Sequence, residues 1–358
     1  MSQLVQRRRT PVKERWILNE LRQQIIEGRY PPGSQLPTRD ELGRHFKVSP
    51  ITLQKALSGL IHDGFVYAKT GQGTFVVDEP PHLSRYGLVF PSDPGSDSWN
   101  NFFAAMNNEA MAIQRAKPER LSLYFGLENP ARYESRDKLI ADVQAHRLAG
   151  LIFASPPFNF MGTPLLDEPG MARVTTAPYM DLPAVVLDDG SFLEKALDYL
   201  ASRGRRRIAM VSAHVTGAAT AFFESFRTLL PQRQMETRTY WEQAMHPSCP
   251  QWAKNVAELL FQNGPATRPD GLIITDDNLV PHATAGLLAA GIRVPDDVDV
   301  VAHCNFPWPT PSVVPAKRIG YDARQVLAAF IASIDMQRRG ETPPLVTEIA
   351  AVTDDEVD

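Results

Sequence analysis

The stretch LPTRDELGRHFKVSPITLQKALSGL, Leu36 to Leu60, constrains this chain more than any other. Its apolar residues recur at helical spacing in two short runs with only a few residues between them. Thr38-Arg-Asp-Glu41 has the pattern of a capping box, in which Glu41 reaches back to the Thr38 amide. Leu42 and Phe46 follow as one apolar face. Ser49 suits the N-cap of the next helix, and Pro50 its first position, where a missing N–H costs nothing. In that helix Leu53, Ala56, Leu57, Leu60 and Ile61 fall on one side. Ile51, Lys55, Ser58 and His62 fall opposite, and Thr52 and Gln54 lie toward the sides near the N-terminal end. The pair is either two ordinary core helices or a device that presents one helix face outward.

The flanks decide between these. From Val12 to Gly28, Trp16, Ile17, Leu21, Ile25 and Ile26 recur at helical spacing, and Gly28 ends the pattern. Pro31, Pro32 and Pro37 force an extended, turning connection. After Gly64, FVYAKTGQGTFVV reads as two short strands joined by a tight tip at 69–73. A helix, a helix-turn-helix and a hairpin within 80 residues is the layout of a winged helix-turn-helix. In that setting the N-terminal end of the third helix, Ser49, Pro50, Ile51, Thr52, Gln54 and Lys55, is the part expected to enter a major groove. Gln54 can pair in bidentate fashion with adenine, and Lys55 can reach guanine or a phosphate. Arg39 and Arg44 flank it, and Lys69, Gly71 and Gln72 form the wing tip. These are expected to meet the backbone, which positions without specifying sequence.

Charge agrees. The chain of 358 residues has a net charge of −4, which hides an asymmetry: residues 1–78 carry 12 Lys/Arg against 7 Asp/Glu, a net of +5, and the remainder is −9. A basic head on an acidic body predicts that the head alone meets a polyanion.

On these residues a family becomes visible. Residues 13–77 resemble the DNA-binding domain of GntR-type bacterial transcription regulators, through Tyr30-Pro-Pro-Gly33, Leu36-Pro-Thr38, Asp40-Glu-Leu42, Val48-Ser49, Thr52, Ala56-Leu57, Asp63-Gly64 and Gly71-Gln-Gly-Thr-Phe-Val76. The family usually has arginines where Pro50 and Gln54 stand, and its second-helix arginine is here Asp40, with Arg39 one position earlier. The resemblance therefore implies the fold together with a non-standard operator.

The stretch VDEPPHLSR, 77–85, has no periodicity and reads as a linker. It sets the expected domains at 1–78, 79–86 and 87–358. Beyond it, strands of nearly continuous Val, Ile and Leu begin near Gly87, Leu121, Leu148, Ala184, Ile208, Gly271 and Val298. They alternate with helices expected at 99–114, 135–145, 191–203, 250–262, 279–291 and 322–339. That alternation predicts an α/β body of parallel sheets covered on both faces. Residues 185–211 are similar to the start of the second lobe in LacI/GalR-type regulators and periplasmic sugar-binding proteins, and 269–279 and 289–303 follow in the expected order. The resemblance implies two Rossmann-like lobes of the periplasmic-binding-protein type I, a small-molecule effector, and a homodimer on double-stranded operator DNA.

Open α/β sheets place ligands at the carboxyl ends of strands. That nominates Ser92, Asp93, Trp99, Asp276, Asn305 and Trp308 as effector contacts. Phe222 stands where relatives that bind sugars or purines have an arginine, and Cys304 where they have an aspartate. The effector is accordingly a sugar, a glycoside or another metabolite, and that end of the pocket is expected to be more apolar. Trp99 is equally readable as core packing. Asp188 and Asp189 read as caps of a strand–helix turn, Asp277 as a loop-holding residue and His303 as a satisfied loop residue.

The sequence holds no GxSxG, HExxH, P-loop or CxxC pattern. KTGQGT lies between two strands and precedes no helix, so it reads as the wing rather than as a phosphate cradle. No enzyme activity, cofactor or metal is expected. Cys249 and Cys304 suit a reducing compartment. The N-terminus lacks the apolar run of a secretory signal, and no apolar run is long enough to span a membrane, so a cytoplasmic protein is expected. The function read from sequence is a ligand-responsive transcription regulator, a repressor. The alternative is a ligand-insensitive DNA-binding protein with a vestigial sensor.

Overall fold

The computed structural model describes residues 12–116, 120–129, 133–213, 217–246 and 249–357. The chain divides into two compact units. One runs up to Val89 and takes in Ile113–Ile152 and Phe158–Arg173; the other comprises Phe90–Ala112, Phe153–Pro157 and Val174–Asp358.

The head consists of α1 (Val12–Ile26), α2 (Arg39–Phe46), α3 (Pro50–His62) and the antiparallel hairpin β1 (Val66–Lys69) and β2 (Gly73–Val76). The capping box forms at α2: the Thr38 hydroxyl accepts from the Glu41 amide, and Glu41 accepts from the Thr38 amide at 2.8 Å. The Thr38 hydroxyl also donates to Glu41 Oε2 at 2.7 Å, and this bond together with that from the Thr38 amide holds the Glu41 carboxyl below its ordinary pKa. Ser49 caps α3 by accepting from the Thr52 amide, with Pro50 in the first turn. Ile17, Leu21, Ile25, Leu36, Leu42, Phe46, Leu53, Leu57, Leu60, Phe65 and Val76 close into one buried core. Burying a side chain such as Leu60 fully contributes roughly 2 kcal/mol. Gly59 lets α1 approach α3, because a Cβ there would overlap the Leu18 side chain. Gly64 ends α3 at φ +82°, and Gly71 turns the wing tip at φ +72°.

Two apolar residues expected inside the head lie outside it. Trp16 is 53% exposed and meets Phe46 in a T-shaped contact, while Ile61 is 40% exposed. Both belong to the helical pattern but sit at the margin of the buried stripe. The stretch read as a linker has local structure: α4 (Pro81–Ser84) buries Pro81 and stacks His82 on Phe65, with ring centroids 5.6 Å apart.

The body continues with β3 (Tyr86–Val89), α5 (Asn101–Ala116), β4 (Leu121–Tyr124), α6 (Tyr133–Gln144), β5 (Gly150–Phe153), α7 (Pro164–Asp167), β6 (Ala172–Thr175), β7 (Ala184–Leu187) and α8 (Asp189–Ser202). Then come β8 (Ile208–Ser212), α9 (Gly217–Leu229), β9 (Glu242–Ala244), α10 (Trp252–Phe261), β10 (Gly271–Ile274), α11 (Val280–Ala289), β11 (Asp299–Phe306), β12 (Lys317–Asp322), α12 (Ala323–Arg338), β13 (Val346–Ile349) and β14 (Val352–Thr353). Two six-stranded sheets result, in the orders β13-β7-β6-β5-β3-β4 and β14-β12-β11-β10-β8-β9. In the second, β9, β8, β10, β11 and β12 pair in parallel and β14 adds an antiparallel edge. The central strands β8, β10 and β11 are buried along their length, as continuous apolar strands covered on both faces must be.

All seven expected strands and all six expected helices of the body form. Strands β6, β9, β12, β13 and β14 and helices α7 and α9 were not legible. β6 contains a buried Arg173, made tolerable because its guanidinium donates to the carbonyls of Leu165, Met171 and Glu168. β12 opens on Lys317-Arg318, whose charge masks its strand character. The boundary of the second lobe is also corrected. β7, where the resemblance to a second-lobe start begins, hydrogen-bonds with β6 and β13 in the first sheet, and the chain enters the second sheet only at β8.

Candidate functional site

Two places in the molecule bring functional side chains together. The first is the N-terminal end of α3. Packing of Leu53, Ala56, Leu57 and Leu60 into the head turns the opposite face out, so Ser49, Pro50, Gln54 and Lys55 are exposed, Thr52 is half-buried and Ile51 is 71% exposed. The Thr52 hydroxyl lies 3.0 Å from that of Ser49, and Gln54 Nε2 donates to Ser58 at 3.3 Å. Both hydrogen bonds are with other exposed hydroxyls, which an outside partner can replace. Arg39 and Arg44 are exposed on α2, with Arg44 Nε donating to the Asp40 carbonyl. Lys69, Gly71 and Gln72 are exposed at the hairpin tip, where the Gln72 carbonyl accepts from Gln35 Nε2 at 2.7 Å.

The second place is a cavity of about 210 Å³ at the carboxyl ends of the strands of the second sheet. It is lined by Thr275, Asp276 and Asp277 after β10, by His303 and Asn305 on β11, and by Tyr321 on β12. Asn100, Phe102, Asp189, Phe192, Phe222 and Asn278 also contribute. Asp277 is 2% exposed and accepts from Asn305 Nδ2 at 2.7 Å and from Thr310 at 3.4 Å. Burial raises its pKa, against the opposing pull of His303. Asp276 Oδ1 accepts from both the backbone and the side-chain nitrogen of Asn278, each at 2.8 Å. Asn278 in turn accepts from the Asn101 amide, which ties α5 to this loop. Three buried polar atoms of the lining, Thr275 Oγ1, His303 Nδ1 and Tyr321 Oη, have no hydrogen-bond partner. Each unsatisfied buried group of this kind costs stability and marks a place where something can bind.

Of the residues nominated from sequence for the effector, Phe222, Asp276 and Asn305 line this cavity, whereas Ser92, Asp93, Trp99 and Trp308 do not. Trp99 packs against Phe90 and Phe103, and Trp308 donates its indole N–H to Glu109 at 2.7 Å. Ser92 donates to the Ser98 carbonyl, and the Asp93 carbonyl accepts from Ser96. His303, expected in a loop and satisfied, is a strand residue with an unpartnered Nδ1. Asp188 caps α8 as expected, but Asp189 reaches the cavity. Thr275 was findable, since it directly follows a legible strand; Tyr321 was not, because β12 was unread. Cys304 points away into the core, fully buried, with its thiol pushed up to about 12 by that burial.

Comparison with known proteins gives matches to two family models. Residues 14–76 match the model of bacterial regulatory proteins of the gntR family, and residues 197–348 match the periplasmic binding protein-like domain. The chain is 33% identical over 357 residues to the arabinose metabolism transcriptional repressor of Halalkalibacterium halodurans, covering 91% of this chain and 90% of that one. It is 24% identical over 343 residues to the repressor of the same name in Geobacillus stearothermophilus, covering 88% and 90%. Among solved structures, a LacI family transcriptional regulator from Lactobacillus casei with bound glucose aligns at a TM-score of 0.54 and 20% identity, over 76% of this chain and 98% of that one. Among the described residues, no helix is long and apolar enough to cross a membrane. These relatives are regulators rather than enzymes, and the chain belongs to the GntR family of bacterial regulatory proteins, with a GntR helix-turn-helix head and a periplasmic-binding-protein-like body.

Proposed function

We propose that this protein is a ligand-responsive transcription repressor that binds operator DNA as a homodimer. The head, 1–78, enters the major groove with the N-terminal end of α3, and the connector 79–86 joins it to an effector body, 87–358. The outward face of α3 carries this reading: Ile51, Thr52, Gln54 and Lys55 offer one apolar and three polar contacts on a rigid, capped helix. Ser49, Pro50, Arg39, Arg44, Lys69, Gly71 and Gln72 frame that face and meet the backbone. A dimer follows from the length of site that two such heads read together.

The effector binds in the cavity lined by Phe222, Asp276 and Asn305; Ser92, Asp93, Trp99 and Trp308 act around it, through their packing, rather than by direct contact. A monosaccharide-sized ligand is supported by the cavity volume and by the names of the relatives, repressors of arabinose metabolism and a regulator with bound glucose. The ligand shifts DNA affinity only by binding one conformation of the body more tightly than another.

The test starts by selecting the preferred site from random duplexes with the full chain. Anisotropy titrations on that site and on scrambled DNA then follow. The double change Thr52→Ala, Gln54→Ala should cost about ten-fold or more on the selected site and little on scrambled DNA. Equal losses on both duplexes would remove α3 as the reading element.

A further inference from the structure

The cavity carries a charge imbalance that a neutral ligand would leave uncorrected. Asp276 and Asp277 line it, and among the described residues no Lys or Arg does. Asp276 and Asp277 receive their hydrogen bonds from the uncharged Asn278, Asn305 and Thr310. Those bonds satisfy lone pairs without neutralising charge, and a buried carboxylate without a cation is costly. Among the described lining residues His303 is the sole base, and even its protonation would leave one of these two carboxylates uncompensated. Phe102, Phe192 and Phe222 add aromatic faces, whose quadrupole also favours a cation.

A second observation points to a ligand independently of the carboxylates. His303 and Tyr321 are 8% and 3% exposed, and His303 Nδ1 and Tyr321 Oη line the cavity without partners, as does Thr275 Oγ1. A group that supplies hydroxyls would satisfy all three.

We propose that the cavity takes a hydroxylated ligand bearing an ammonium group, an amino sugar or small amino polyol about the size of a monosaccharide. Its ammonium group lies against Asp276 and Asp277, and its hydroxyls meet Thr275, His303 and Tyr321. This rests on the reading of the cavity as the effector site and gives that site its ligand class.

The experiment uses the full chain in a buffer free of amines, with thermal shift and calorimetry against D-glucosamine, D-glucose and D-glucuronate. Protonated tris(hydroxymethyl)aminomethane and its neutral counterpart pentaerythritol form a second matched pair. The ammonium member of each series should bind at least about ten-fold tighter than the neutral one, and glucuronate should not bind. Asp276→Asn should abolish that preference with the ligand-free Tm retained, and Tyr321→Phe should weaken cationic and neutral members alike. A neutral member binding as tightly as its ammonium partner, or any binding of glucuronate, overturns the charge assignment and leaves an effector site standing. Silence from every member overturns the ligand class, while operator binding stands or falls on its own titration.

Discussion

Asp63, the last-turn cap of α3, accepts from Arg147 Nη1 at 2.8 Å, across 84 residues of chain. Its other oxygen accepts from Arg22 on α1 at 2.5 Å. Arg147 also reaches Asp142 at 2.6 Å, and Asp142 accepts from Tyr124. Burial pulls the Arg22 pKa down, against Asp63; for Arg147 burial acts the same way, but Asp142 and Asp63 outweigh it. Helix α3 is thereby tied at its C-terminal end both to the rest of the head and to the segment after α6. Removing one partner of a buried pair leaves an uncompensated charge. Asp63→Asn, at a site 7% exposed, should therefore cost about 3 kcal/mol. Arg147→Met, at a site 25% exposed, should cost about 1 kcal/mol. Urea unfolding of the single and double variants checks this, and additive losses would show that the pair is not coupled.

The wing and α2 should contribute affinity without sequence preference. Lys69→Ala and Arg44→Ala should each weaken binding to selected and scrambled duplexes alike. Each should also lower the slope of log K against log salt by about one unit. A titration series in salt reads this directly, and an unchanged slope removes that residue from the DNA contacts.

Asp277 predicts a pH effect of definite sign. Its pKa is raised, first by burial, so the folded state holds the proton more tightly than the unfolded chain does. The resulting penalty is absent below the unfolded pKa, grows as pH rises through the folded value and is complete above it. Asn in this place can still accept from Asn305. Asp277→Asn should then raise the Tm by a few degrees near neutral pH, with the gain shrinking as pH falls through the raised folded value and gone below about pH 4. Ligand binding should fall in the same variant, the usual exchange between a strained site and stability. A lower Tm at neutral pH would mean that the hydrogen bonds of the charged form outweigh its burial.

The two cysteines should react differently. Cys304 is fully buried and its thiol is held up at about 12, so almost no thiolate forms near neutrality. Cys249 is only half-buried. Iodoacetamide should modify Cys249 in the folded chain and Cys304 only after denaturation, as peptide mass mapping with time would read. Prompt alkylation of Cys304 would place it outside the core.

The head was legible because its determinants are local. Thr38 and Glu41, Ser49 and Pro50, and the glycines at 64 and 71 each act within a turn of their own position. The periodic Leu and Ile residues need only one helical face to be recognised. Trp16 and Ile61 mark the limit, since periodicity tells which stripe a residue belongs to but not where a neighbour ends. In the body, strands built only of Val, Ile and Leu were legible, whereas β6 and β12 were hidden by arginines and a lysine whose compensating partners lie elsewhere.

The amino-acid sequence alone determined the winged head, the alternating body and the family. All three follow from short-range patterns that no distant contact needs to complete. Tertiary structure decided which residues share a site. The ends of β10, β11 and β12 and the starts of α5 and α8 meet only because successive crossovers return the chain to parallel strands. That return places Asn100 and Tyr321 on one cavity, leaves Trp99 and Trp308 off it, and gives Asp63 its partner in Arg147. Spacing along the chain carries no trace of such encounters, because each depends on how far every intervening element has packed.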